Sequence, residues 1–375
     1  MGARLIEANP FGRQWAAVGA EAIAAIRRVG ESGLYILGPE VERFERALAI
    51  STGRGFAVGC ASGLDAIEIG LRALGLPAGA AVLTTPFSAF ATTLAILRAG
   101  GVPHFVDVDS SGLLDLEAAA DHLARHPEVR FAVPVHLFGH ALDHGALAAL
   151  RDRFDLAIAE DCAQAIGARS RGDLVGGVGR IAALSFYPTK NLGALGDGGA
   201  LLTDARDLDV RARRLRDYGQ SDKYVHTELG SNSRLDELHA AVLHDALLPR
   251  LAAWTDRRVA IARRYREGLA NPMVEIVGPP PGSGSVWHLH PVRVSGGARD
   301  SLLGALRREN VQAAVHYPTL IPDQPALRKI SGVRMHGDLA RAKLLAMEEL
   351  SLPIHPLLED AEIDRVIELV NLWRA

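Results

Sequence analysis

Seven short apolar or β-branched runs constrain this chain more than any other feature: 56-FAVGC-60, 80-AAVLTT-85, 103-PHFVDV-108, 130-RFAVPVHL-137, 155-DLAIAE-160, 181-IAALSF-186 and 199-GALLT-203. Between several of them lie amphipathic stretches with helical spacing, among them 63-GLDAIEIGLRALG-75, 115-DLEAAADHLARH-126 and 143-DHGALAALRDRF-154. Continuous apolar runs suit strands covered on both faces, and intervening helices supply the crossovers that parallel strands need. The expected architecture is an α/β large domain around a mostly parallel seven-stranded sheet. From about residue 205 to 270 the reading turns mainly helical and Arg-rich, and 274-VEIVGPPPGSGSVW-287 reads as a Pro/Gly connection. Beyond it, HPVRVS, a helix near 299–309 and the amphipathic tail 359–374 predict a small α+β domain. The expected division is a large domain over 1–250, with an N-terminal helical segment, and a small one over 251–375.

The 375 residues are 48% hydrophobic and 23% charged with a formal net charge of -3, an ordinary soluble balance that gives no reason to expect nucleic acid or an anionic membrane as partner. The opening residues lack a basic stretch leading into an apolar one, so no secretory signal is expected. The most apolar segment, 81-AVLTTPFSAFATTLAIL-97, is broken by Pro86 and hydroxyls and falls short of a membrane span. Cys60 and Cys162 have neither disulfide-framework nor metal spacing, so a cytoplasmic location is the expectation.

In open α/β sheets ligands bind beyond the carboxyl ends of the strands. Four of those ends carry chemistry. After FAVGC, 61-ASGLDAIEIGL-71 is a small-residue turn opening a helix, whose free N–H groups suit a phosphate. After AVLTT, PFSAF puts Phe87 and Phe90 where an aromatic can lie on a planar group. After DLAIAE come Asp161 and, three residues on, Gln164; an aspartate there also serves as a helix cap. After IAAL come Ser185, Tyr187 and Lys190, the lysine standing before the glycine-rich NLGALGDGG. Small neighbours let another group approach the amine, and an apolar setting lowers its pKa, as a Schiff-base lysine requires. A lysine, an acid for a ring nitrogen, a phosphate cup and an aromatic are together what pyridoxal phosphate needs.

The chain resembles the DegT/DnrJ/EryC1/StrS family of nucleotide-sugar aminotransferases, fold-type I pyridoxal-phosphate enzymes, through 36-ILGPEVERFERALA-49, VGCASGLDAI, 134-PVHLFGH-140, AEDCAQAIGA, SFYPTKNLGALGDGGALLT, 230-GSNSRLDELHAAVL-243 and 350-LSLPIHP-356. The resemblance implies an aspartate-aminotransferase-like fold and pyridoxal 5'-phosphate, with pyridoxamine 5'-phosphate as the aminated form. It makes Lys190 the covalent anchor, Asp161 the partner of the pyridinium nitrogen and Gln164 a neighbour of the ring hydroxyl. Phe90 stacks on the ring, and Ser62, Gly63 and Ser185 hold the phosphate. Asn232 reaches the phosphate of the partner subunit's cofactor, which implies an obligate homodimer. KNLGALGDGG, 218-YGQSDKY-224 and 315-VHYPTLIPDQ-324 resemble the subgroup that aminates C3 of dTDP-linked 3-keto-6-deoxyhexoses with L-glutamate as donor. There Tyr187, Lys223, His316 and Tyr317 lie near the sugar or its diphosphate. The sequence departs from the family pattern at Leu64, in place of a common threonine, at His239, in place of a common glutamine, and at Asp245–Ala246.

Two rivals act on other keto substrates or lack the lysine: a C4-keto-sugar or cyclitol aminotransferase, and a sugar dehydratase in which histidine replaces it. Lys190 argues against the dehydratase. Outside the class, His136, His140 and His144 recur every four residues and raise a metal hydrolase, but they follow a strand-like run and lack the helical H-E-x-x-H arrangement. No metal is expected. The near-fingerprint 177-GVGRIA-182 precedes a strand instead of following one, so a nicotinamide site is not expected.

Overall fold

The computed structural model describes residues 4–375. Its main sheet uses the seven expected runs: β1 (Phe56–Cys60), β2 (Ala81–Thr84), β3 (Val102–Val106), β4 (Phe131–Val133), β5 (Ala157–Asp161), β6 (Ile181–Ser185) and β7 (Gly199–Thr203). A smaller C-terminal sheet is built from β8 (Val274–Ile276), β9 (His290–Val294) and β11 (Glu349–Leu352), while β10 (Arg334–His336) goes elsewhere. It pairs parallel to β3, so the main sheet has eight strands, not seven, in the order β1-β7-β6-β5-β4-β2-β3-β10. Only β7 is antiparallel to its neighbours. The sequence 334-RMH-336 has no apolar run, and a short edge strand needs none, because its pairing is made by backbone groups alone.

Helices cover both faces. α1 (Phe11–Ser32) and α2 (Pro39–Thr52) pack their apolar sides with β1, β6 and β7 residues into one core. α2 starts at Pro39, and the Glu237 carboxylate caps it, accepting from the N–H groups of Gly38 (2.9 Å), Glu40 (2.8 Å) and Val41 (2.8 Å). α3 (Gly63–Ala73) lies on the other face with Val58, Val82, Ala159, Ile181 and Leu201 beneath it. α4 (Phe90–Arg98) follows β2. The region read as mainly helical also holds a hairpin, Gln220–Asp222 with Val225–His226, and the Pro/Gly connection begins with strand β8.

The C-terminal core joins Ile261, Tyr265, Val292, Leu302, Leu350 and Val366 to Ile6 from the other end of the chain. Ile6 bridges to Val311, and β10 returns to the main sheet, so the boundary expected near residue 250 is crossed in both directions. No helix among the described residues is long and apolar enough to cross a membrane.

Candidate active site

The carboxyl ends of β1, β5 and β6 converge because β5 and β6 are hydrogen-bonded neighbours, with Asp161 opposite Ala183, and β7 carries the chain back between β6 and β1. Around these ends is a cavity of about 260 Å³ lined by Ser62, Gly63, Leu64, Ser88, Ala89, Thr92, Asp161, Ala163, Gln164, Ser185, Tyr187 and Lys190. A second, of about 270 Å³, shares Gln164, Tyr187 and Lys190 and continues to His288, His316, Tyr317 and Ser351. Lys190 thus stands where the two meet.

The floor of the first cavity is the start of α3. Ser62 is its N-cap, its Oγ accepting from the N–H of Asp65 at 3.1 Å. A Cβ on Gly63 would lie 2.6 Å from Ser185 Cβ, and one on Gly199 would lie 2.3 Å from the Ser62 carbonyl carbon. Both glycines are required for β6 and β7 to pass this close to the helix end. The result places unencumbered N–H groups, a helix N-terminus and the Ser185 hydroxyl beside one another, a cradle for an anion.

Asp161, 5% exposed at the tip of β5, has Oδ2 accepting from Thr92 Oγ1 at 2.8 Å and Oδ1 from the Ala163 N–H at 3.1 Å. Behind it, Glu160 is sealed by His136 Nε2 at 2.9 Å and the N–H groups of Gly176 (3.0 Å) and Gly179 (2.6 Å). Gln164 Oε1 accepts from the Phe138 N–H at 2.6 Å, which fixes its amide, and Nε2 donates to Tyr317 OH at 3.2 Å. Burial pushes the Lys190 ammonium down to about 8, against the pull of Asp161. The amine therefore reaches its neutral, nucleophilic state at a lower pH than an ordinary lysine. Its loop is pinned by Asn191, whose side chain donates to Val286 O at 3.0 Å and contacts His288 Nδ1 at 3.2 Å.

Most of the residues expected from sequence meet here: Lys190, Asp161, Gln164, Ser62, Gly63, Ser185 and Tyr187 in the first cavity, His316 and Tyr317 in the second. Phe90 does not. It opens α4 and packs with Phe105, Ile321 and Leu327, while Ser88, Ala89, Ala91 and Thr92 are the residues of that segment that face the cavity. Phe87 is fully buried behind Tyr317, ring centroids 6.2 Å apart. Phe90 itself is half-buried, between Ala89 and Ala91 of the cavity lining. Lys223 is exposed at the hairpin turn, 5.3 Å from the Tyr224 ring, and Asn232 is exposed, bridged to Asp217; neither lines either of these two cavities.

Thr92, Asn191, Ser351 and Arg258 were not singled out from sequence. The hydroxyl-rich PFSAFATT was the available signal for Thr92. Arg258 is buried and donates to the carbonyls of Trp287 (3.0 Å) and Ile354 (2.9 Å), tying the two segments that wall the second cavity.

The histidines spaced by four do not converge. His140 is held by Ser285 Oγ (2.7 Å) and Val277 O (3.1 Å), and His144 opens a helix. His136, Glu160 and Cys162 do lie close together, but both Glu160 oxygens already accept hydrogen bonds, as a fixed structural pair would have it.

An amine of lowered pKa, a carboxylate tip, an amide and an anion cradle suit pyridoxal phosphate, which Lys190, Asp161, Gln164, Ser62, Gly63 and Ser185 would hold. Known proteins agree. Residues 17–371 match the DegT/DnrJ/EryC1/StrS aminotransferase family. The chain is 42% identical over 355 residues, 94% of its length and 92% of the relative's, to the dTDP-3-amino-3,4,6-trideoxy-alpha-D-glucose transaminase of Streptomyces venezuelae. Its fold matches the crystal structure of S. venezuelae DesV in complex with a ketimine intermediate, with a TM-score of 0.93, 40% identity and 99% of each chain covered. It also matches NtdA from Bacillus subtilis with bound cofactor PMP, with a TM-score of 0.85, 30% identity and 94% of this chain and 80% of that one covered. Site chemistry, fold and sequence lead to one conclusion: the chain is a pyridoxal-phosphate-dependent aminotransferase and belongs to the DegT/DnrJ/EryC1/StrS aminotransferase family.

Proposed function

We propose that this enzyme moves an amino group from L-glutamate to C3 of a dTDP-linked 3-keto-6-deoxyhexose in deoxyamino-sugar biosynthesis. The observation that carries the reading is the position of Lys190 between an anion-cradling cavity and a second cavity lined by His316 and Tyr317. The name of the S. venezuelae relative supports the C3 position and the dTDP carrier.

Pyridoxal phosphate, when bound, supplies an electron sink for the substrate carbon that exchanges its amine. The rest is the work of this chain. Asp161, oriented by Thr92 and Ala163, keeps its carboxylate on the ring-nitrogen side. Lys190, with a pKa of about 8, takes the proton from the amino-bearing carbon of the donor and returns one to C3 of the sugar. Tyr187, His316 and Tyr317 position the sugar, and Lys223 on its exposed hairpin meets the diphosphate.

The working unit in this reading is a cytoplasmic homodimer with shared sites. Asn232 would then serve the partner's phosphate cradle, which accounts for its exposure outside both cavities of its own chain. Support comes from the exposed apolar side chains of Leu34 (53%), Tyr35 (51%), Ile36 (46%) and Leu229 (89%), which a second subunit would cover.

The test is a glutamate-dependent assay of dTDP- and UDP-linked 3-keto and 4-keto-6-deoxyhexoses, with product regiochemistry read by NMR. Amination of the dTDP-3-keto sugar at C3 is expected. Amination at C4 alone overturns the substrate assignment, and no glutamate-dependent amination of any keto sugar overturns the reading.

A further inference from the structure

Glu349 has no part in the reaction above, yet it is 0% exposed, at the start of β11. A carboxyl there has lost its hydration, and Arg299, the cation acting on it, is engaged by Asp300 (2.9 Å) and the Ala346 carbonyl (2.7 Å) instead. Its two oxygens have dedicated partners. Oε2 accepts the backbone N–H of His316 at 2.5 Å, and Oε1 lies 2.5 Å from Ser351 Oγ. Ser351 Oγ is in turn 3.0 Å from His316 Nδ1, and His316 lines the substrate cavity with Lys190.

Counting protons shows what this chain of contacts does. The backbone N–H of His316 donates to Oε2 in every state, so a proton on the carboxyl sits on Oε1 and is donated to Ser351 Oγ. The single hydroxyl proton of Ser351 then goes to Nδ1, and the neutral ring carries its own proton on Nε2. With the carboxyl ionised the direction reverses: Ser351 donates to Oε1 and accepts from Nδ1–H, and Nε2 is bare. We propose that Glu349, acting through Ser351, decides which ring nitrogen of His316 carries the proton, and that its neutral acid form keeps an Nε2–H donor available to an oxygen of the keto sugar. Glu349 and Ser351 are thus positioning residues for the sugar, and this rests on the reading that the second cavity holds it.

The balance closes without charging the ring. When the triad ionises, one proton leaves from Nε2, the ring takes the Ser351 proton at Nδ1, Ser351 takes the carboxyl proton, and the charge rests on Glu349. The groups facing the triad are Arg299, the Tyr317 hydroxyl, Lys190 and His288. Burial raises Glu349 to about 8, and burial with Lys190 nearby lowers His316 to about 4, so at neutral pH the acid is mostly un-ionised and the ring is neutral.

The experiment is nitrogen NMR of the cofactor-loaded enzyme labelled with 15N-histidine, the His316 signals assigned by their loss in His316→Gln. Wild type should show protonated Nε2 at neutral pH and protonated Nδ1 once the pH passes about 8. Glu349→Gln, whose amide donates to Ser351 while its carbonyl accepts from His316 N–H, should hold protonated Nε2 at every pH. Ser351→Ala should remove the pH response of the tautomer. Wild type with protonated Nδ1 at neutral pH, or Glu349→Gln changing tautomer as wild type does, overturns the proposal. The tautomer is read without any sugar, so failure of the amination assay leaves it standing and falls on the substrate assignment alone.

Discussion

Replacing Lys190 by methionine should make the cofactor-free protein more stable, although it removes the residue on which the proposed mechanism turns. Burial lowers the Lys190 pKa from 10.5 to about 8, which at about 1.4 kcal/mol per tenfold amounts to about 3 kcal/mol. Near neutral pH the amine is protonated in both folded and unfolded chains, so the folded state bears the full cost of a poorly solvated ammonium. Between about 8 and 10.5 the unfolded chain binds a proton that the folded one has released, so the cost shrinks as pH rises. Above 10.5 neither form is charged and the cost is gone. Methionine has similar length and no charge. Urea unfolding of the apoprotein, followed by tryptophan fluorescence at fixed protein concentration, should show Lys190→Met ahead by about 3 kcal/mol near pH 7, and by less than half that near pH 9.5. A variant no more stable than wild type at neutral pH, or an advantage independent of pH, refutes the argument. Confirmation would mean that the site stores strain that the Schiff base relieves by removing the charge-solvation problem of the free amine.

Thr92→Val takes away a hydrogen bond to a buried carboxylate, worth about 1.5–3 kcal/mol, and should weaken pyridoxal phosphate binding about 10- to 100-fold in an absorbance titration of the apoprotein. Gly63→Ala drives a methyl to 2.6 Å from Ser185 Cβ, so it should displace the cradle and raise the cofactor Kd at least tenfold while the melting temperature falls by only a few degrees. Asn232→Ala should lower cofactor affinity only if subunits share sites; mixing it with Lys190→Met chains should then yield hybrid dimers with one intact site, detectable as recovered activity. Glu45 is buried between Arg213 (2.7 Å) and Arg216 (2.5 Å), and Glu45→Ala should cost about 3–5 kcal/mol in urea unfolding by leaving the buried Arg216 guanidinium without an acid, while Arg213 keeps Asp209 (2.7 Å).

The parallel sheet and the residues at its carboxyl ends were legible in the linear sequence, because a strand buried on both faces must be written as an apolar run and the residues after the run must stand at the sheet edge. That logic located Asp161, Ser185 and Lys190 together. It reaches less far at PFSAF, where the chain turns into α4 and each residue rotates the side-chain direction by about 100°; that Ala89 and Thr92 line the cavity while Phe90 packs with Phe105, Ile321 and Leu327 is decided by tertiary packing. The eighth strand was equally silent, since backbone pairing at an edge leaves no side-chain pattern. The Glu349–Ser351–His316 triad joins residues 33 and 35 positions apart, and nothing local marks a glutamate that will lose all its solvent. Periodicity and strand-end chemistry are local properties, so the sequence alone determined the fold class and the strand end at which Lys190 stands. Which neighbours surround that lysine is a matter of long-range proximity, and that was decided only when the chain closed on itself.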